Sequence, residues 1–254
     1  MIPTVEILDI PLFNGNIPNL YSKFIDKINH GKKENLRVSF CDANVLVSSK
    51  NNKQLKSTLQ SAFINLPDGM PGVWIGKLKG AKTIDRCYGP DVFDFIMNQT
   101  AGKNINHYFS GGKKGVAEDL KAICQNRFNN HNIVGTHCPP FRELSDNELI
   151  EIAEDINKKN VDMVWIGISS PKQDIYAERL SKLTNVHFFF TIGAAFDFFT
   201  GNVKQAPKFI QRSGFEWLFR LLKEPKRLWK RYFKTIPLFL YYNLLETLKI
   251  KSKN

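Results

Sequence analysis

The chain has 254 residues, 43% of them hydrophobic and 24% charged, a composition that excludes intrinsic disorder and fibrous repeats. Its 36 Lys and Arg outnumber its 24 Asp and Glu, and the excess is local: residues 204–254 hold 13 basic and 3 acidic side chains, the first 203 hold 23 and 21. A nearly neutral body therefore ends in a strongly basic segment, which is either a solvated face or a surface for an anionic partner.

The opening MIPTVEILDIPLFNGN has no basic stretch leading into an apolar core, so no signal peptide is expected. Strands are predicted at 5–10, 36–41, 107–110, 132–136, 162–168 and 186–192, and helices at 19–29, 52–63, 91–99, 113–128, 146–158, 172–182 and 208–222. VDMVWIGI and VHFFFTIG are apolar throughout, as strands buried on both faces of a parallel sheet are. The alternation predicts an α/β, Rossmann-like, mostly parallel sheet flanked by helices over 1–203, with a basic amphipathic helical appendage over 204–254. Because the predicted strands all lie upstream, the body is expected to fold without the appendage. The cysteines at 41, 87, 124 and 138 form no C-x-x-C, which argues against a zinc site or disulfide framework and suits a reducing compartment. No run approaches the roughly 20 apolar residues of a spanning helix. A cytoplasmic protein is expected.

In such sheets ligands bind beyond the C-terminal ends of the strands, and polar or glycine residues stand there: DAN at 42–44, GGKKG at 111–115, GISSPKQD at 167–174 and GAAFDF at 193–198. Gly111 and Gly112 either admit a phosphate or make a tight turn; the dinucleotide fingerprint G-x-G-x-x-G is absent. Asp68, in NLPDGMPGVW, is either a turn residue or a carboxylate poised as a base. In DRCYGPD, Pro90 and Asp91 can open a helix, and Arg86 can pair with a phosphate. Ser170 and Pro171 suit a helix start, with Gln173 expected to face the crevice. The five histidines are scattered and no D-x-D occurs, so no metal clamp is predicted.

FEWLFRLLKEPKRLWKRYFK reads as two helices meeting at Pro225. Leu218, Leu221, Leu222, Leu228, Trp229, Tyr232 and Phe233 recur at helical spacing, with Lys223, Arg227, Lys230 and Lys234 on another face. The large apolar face favours a membrane surface over nucleic acid.

Together DAN, PDGMPGVWIGKLKG, DRCYGPD, YFSGGKKGVAEDLK, GISSPKQD and IGAAFDFFTGNVKQAPKFIQRSGFEWLFRLLKEPKRLWKRY resemble, in order and over nearly the whole chain, the WecG/TagA/CpsF family of bacterial glycosyltransferases. The resemblance implies a cytoplasmic, inverting, metal-independent enzyme. It would move a hexose from a UDP-sugar to a polyprenyl-diphosphate-linked acceptor in surface-polysaccharide synthesis. It implies Asp68 as the catalytic carboxylate. Asp42, Asn44, Arg86, Asp91, Gly111, Gly112, Gln173 and Asp197 are then expected to bind substrate, with Arg220, Arg227 and Arg231 brought to the donor's diphosphate by the appendage. Lys223, Lys226, Trp229, Lys230, Tyr232, Phe233 and Lys234 are expected to dock the protein peripherally on the anionic inner face of the cell membrane. No cofactor is implied, nucleic acid is not expected as a partner, and a homo-oligomer is left open. The chain departs from the family in one place: many members carry Thr where Asp42 stands, which leaves the donor sugar open between N-acetylmannosamine and another hexose. A non-enzymatic nucleotide- or nucleic-acid-binding protein is the competing reading.

Overall fold

The structure is a computed structural model that describes residues 2–140 and 142–251. A hairpin of β1 (Thr4–Ile7) and β2 (Ile10–Phe13) leads into α1 (Ile17–His30) and β3 (Leu36–Cys41). Next come α2 (Ala43–Asn51), α3 (Lys53–Gln60), β4 (Ile64–Pro67), α4 (Met70–Leu78) and α5 (Gly89–Thr100). The alternation continues through β5 (His107–Gly111), α6 (Val116–Phe128), β6 (Ile133–His137), α7 (Asp146–Lys158), β7 (Met163–Gly167), α8 (Lys172–Ser181) and β8 (Phe188–Thr191). The chain then turns helical: α9 (Ala195–Phe199), α10 (Lys208–Arg212), α11 (Glu216–Lys223) and α12 (Pro225–Lys251).

The strands form one eight-stranded sheet in the order β1-β2-β4-β3-β8-β7-β5-β6. Only the β1–β2 pair is antiparallel, so the expected mostly parallel α/β sheet is what forms. Every residue of β7 and β8 is buried, as their unbroken apolar sequences require. Trp165 stacks on Phe190 at 4.2 Å, and Phe93 meets Trp165 edge-on at 4.9 Å; such aromatic pairs add to the area they bury. The core's largest residue is thus held from two sides, by a neighbouring strand and by α5.

Three differences from the sequence reading have physical causes. The strand expected at 5–10 is a hairpin folded at Leu8 and Asp9, both at positive φ. No Asn-Gly marks this turn; Leu8 takes the conformation because its side chain is fully buried and its N–H donates to Glu246 of α12 at 3.2 Å. β4 was missed because Asn65 and Pro67 read as loop. Asn65 is buried, and its amide donates to the carbonyls of Pro11 and Leu59. The helix expected at 208–222 breaks at Gly214, at φ +81°, where a Cβ would fall 2.4 Å from the Trp74 ring.

Pro225 separates α11 from α12, as expected. The segment at 204–254, described to Lys251, is well packed on the body. Leu228, Thr235, Phe239 and Asn243 form the inner face of α12, at helical spacing. Phe239 joins Ile7, Leu8, Leu46 and Leu55 in one core cluster. Removing the segment would therefore uncover apolar surface of the body.

Candidate active site

β3, β4, β5, β7 and β8 all point their C-terminal ends to the same edge of the sheet, and the chemistry-bearing loops start there. Asp68 immediately follows β4. Its backbone N–H donates to the Cys41 carbonyl of β3, and its carboxylate accepts from the Gly89 N–H at 2.8 Å. Burial, then the charge of Asp42, pushes the Asp68 carboxyl up to about 7; Glu216 adds to the rise, while the Gly89 bond and Arg86 oppose it. A carboxyl held near neutral pH suits a proton acceptor.

Asp42 caps α2, accepting from the Val45 N–H at 2.8 Å. Its other oxygen meets Arg231 of α12 at 2.6 Å. One helical turn further, Thr235 donates to the Asn44 side chain at 3.1 Å. The two DAN residues thus hold α12 by a two-point clasp. Asp42 has a cation as its partner here.

Arg86 meets Asp91 at 3.2 Å, Glu216 of α11 at 3.1 Å and the Gln211 side chain of α10 at 3.0 Å. Tyr88 donates to the same Glu216 carboxylate at 2.5 Å. Burial and Glu216 together push the Tyr88 hydroxyl upward, so it stays a neutral donor. Arg86 is therefore engaged within the protein, where a phosphate contact was expected. Arg86 and Asp91 also line a cleft of about 490 Å3, floored by Phe198 and Phe199 and bordered by Gln205 and Lys208.

The three arginines of the appendage separate. Arg220 lies 5.5 Å from the Phe198 ring centre and makes no ion pair among the described residues; its Nε is buried without a partner. Glu216 and Asp42 act on both Arg220 and Asp68. Arg231 is held at Asp42. Arg227 instead projects outward and pairs with Glu224 on the preceding turn, so no described contact brings it to Asp68.

Gln173 does not face the crevice openly. It is 2% exposed, and its Nε2 donates to the Thr191 carbonyl at 2.7 Å. This bond fixes the amide, leaving Oε1 buried and unpartnered beside Gly193. Ser170 makes no cap bond; Pro171 occupies the cap position of α8. At Gly111, with φ +146°, a Cβ would meet the Gly167 backbone of the paired strand β7 at 2.6 Å. Gly112 donates its N–H to the Gly167 carbonyl. Asp197 lies half-buried on α9.

Lys223, Lys226, Trp229, Lys230, Phe233 and Lys234 are exposed. Tyr232 differs from the docking role expected of it: it is half-buried and packs edge-on against Trp217. Exposed Leu240, Tyr241, Leu244 and Leu248 continue the outer face of α12. No described helix is long and apolar enough to cross a membrane. Among the described residues one carboxylate group could hold a metal ion, Glu6, Asp9 and Glu246 at the hairpin. There Asp9 pairs with Lys50 and Lys56, and Glu246 with Lys79.

The sequence model of the glycosyl transferase WecG/TagA/CpsF family matches residues 5–253. The chain belongs to this family. It is accordingly a glycosyltransferase of a family of cell-surface polysaccharide synthesis, and the non-enzymatic reading falls. It is similar to two proteins called N-acetylglucosaminyldiphosphoundecaprenol N-acetyl-beta-D-mannosaminyltransferase. With that of Bacillus subtilis it is 26% identical over 90% of this chain and 86% of the relative. With that of Bacillus spizizenii it is 30% identical over 71% and 68%.

Glu216, Tyr88 and Thr235 were not singled out from the sequence. A signal for Glu216 existed: it stands four residues before Arg220, on the same helical face.

Proposed function

We propose that this glycosyltransferase moves a hexose, N-acetylmannosamine or another, from a UDP-sugar to a polyprenyl-diphosphate-linked saccharide with inversion and without a metal ion. Asp68 carries the reading: a carboxyl near pKa 7, at the strand ends where α/β sheets bind ligands. It takes the proton from the acceptor hydroxyl as the acceptor oxygen bonds to the sugar's anomeric carbon. The bond from that carbon to the UDP oxygen breaks in the same in-line step, and the leaving diphosphate takes up the negative charge. Arg220 and Arg231, on α11 and α12, are the cations available to stabilise it. Arg227 is less well placed, being committed to Glu224.

The appendage, over 204–254, docks the protein on the inner face of the membrane. Exposed Trp229 and Phe233 interleaved with Lys226, Lys230 and Lys234 support this, because aromatic burial and attraction to anionic lipid act together. The two Bacillus relatives support the acceptor class, since their names specify an N-acetylglucosamine linked through diphosphate to undecaprenol.

The test is a UDP-release screen across UDP-sugars, with a polyprenyl-diphosphate N-acetylglucosamine as acceptor, with and without EDTA. Turnover with one donor that survives EDTA is expected. No release with any donor would overturn the reading, and loss on chelation restored by Mg2+ would overturn its metal-independent part.

A further inference from the structure

α11 is short, eight residues, and none of them is fully buried. Hydrophobic packing alone therefore fixes it poorly. Beside the Trp217–Tyr232 and Arg220–Phe198 contacts, a carboxylate ties it to the body. Glu216, in its first turn, receives the Arg86 guanidinium at 3.1 Å and the Tyr88 hydroxyl at 2.5 Å. Both donors lie between Asp68 and α5, in the segment whose Gly89 N–H holds the Asp68 carboxylate. The Arg86 side chain is 9% exposed and that of Glu216 15%, so the bond is shielded from water and is charge-assisted.

One turn after Glu216, on the same face of α11, stands Arg220. Its guanidinium lies over Phe198, with no ion-pair partner among the described residues. We infer that Glu216 is a positioning residue of the transfer reaction: its grip on Arg86 and Tyr88 fixes α11 so that Arg220 is presented beside the Asp68 loop. Glu216 does not touch substrate. It acts through Arg220 on the donor's diphosphate and through Arg86 and the Gly89 segment on Asp68. The inference rests on the function proposed above and names what aligns its parts.

The titration of Asp68 reports the Glu216 charge, while UDP affinity and the coupling to Tyr88 report the positioning. The groups facing Asp68 are Asp42 at the cap of α2, Arg86, Tyr88 and the Gly89 N–H before and at α5, and Glu216 on α11; Arg220, Arg231 and Tyr232 stand around Asp42 and Glu216. Glu216 raises the Asp68 pKa. Neutralising Glu216 removes that push and releases Arg86 to favour the ionised form, so both effects lower it.

The experiment uses the full chain, with equilibrium UDP binding by calorimetry and donor turnover as separate readouts. Glu216→Gln keeps the shape and removes the charge; Tyr88→Phe removes one hydroxyl and is the milder variant should the first unfold. Glu216→Gln is expected to lower kcat/KM about 10- to 100-fold and to weaken UDP binding in step. It should also shift the acid limb of the pH profile downward. Tyr88→Phe should cost severalfold alone and less than that when added to Glu216→Gln, since the two share the Tyr88–Glu216 bond. Wild-type turnover with a fully active Glu216→Gln variant, or additive losses in the pair, would overturn the inference and leave the function standing. A wild type that binds UDP without turnover, with the coupled loss of UDP affinity intact, would overturn the function and leave the positioning role. Failure of the wild type to bind UDP would overturn both.

Discussion

The loops above the strand ends and the outer face of α12 treat charge in opposite ways. At the strand ends charged groups meet across elements: Arg86 with Glu216, Arg231 with Asp42. On the outer face Lys226, Lys230 and Lys234 have no ion pair among the described residues, and Lys230 lies over the Trp229 ring. A paired charge fixes geometry and presents little net field. An unpaired row of lysines fixes nothing and presents a long-range field that salt screens. The first region is built for alignment of small groups, the second for attraction to a broad anionic surface.

Substitutions should separate the two regions. The largest effect is expected at Asp68: Asp68→Asn should cut turnover by about 10²-fold or more while UDP still binds in calorimetry. Near-normal transfer would remove Asp68 as the base. Next is the outer face. Reversing Lys226, Lys230 and Lys234 to Glu should abolish sedimentation with anionic vesicles, as each basic residue near such a surface contributes about 1 kcal/mol. Transfer to a short soluble acceptor should persist. Loss of both would show that the two regions are not separable.

The third effect is a shift. Asp68 must be ionised to act, so kcat/KM should rise with pH through about 7. The Asp42 charge is the strongest charge raising that pKa, so Asp42→Asn should move the limb to lower pH, by about half a unit to one unit. An unmoved limb would mean that Arg231 already cancels Asp42 completely. The smallest effect is on stability. The folded-state pKa of Asp68 lies above its ordinary value of 3.8, so the folded state holds the proton more tightly and stability is lost as pH rises from about 4 to about 7. Asp68→Asn escapes this, and should melt a few degrees higher than wild type at pH 8 and nearly equal to it at pH 4. Thermal unfolding at the two pH values checks the sign.

Much of the body was legible in the sequence because β7 and β8 carry period-free apolar runs. β4 was not, because its polar Asn65 is satisfied by carbonyls on β2 and in the last turn of α3, which no local pattern announces. The site shows the same division. Asp68, Asp42 and Asn44 stand out as polar residues at strand ends. The partners of Arg86, Gln173 and Arg231 lie on other elements, so their engagement was illegible. Tyr232 and Phe233 are neighbours of similar character, and only packing against Trp217 decides that the first turns inward.

The hairpin turn at Leu8 has a consequence for the order in which the molecule can be made. Leu8 leaves the ribosome 238 positions before Glu246, which accepts its N–H. Phe239, which shares its apolar cluster, is nearly as late. During synthesis the Leu8 N–H and the apolar cluster under the hairpin therefore stay incomplete until α12 arrives. Such long-range closure slows folding and leaves apolar surface waiting. The Leu8 turn and α12 mature together, and a ribosome that stops before α12 releases a body whose Ile7 and Leu8 still lack Phe239 as a neighbour.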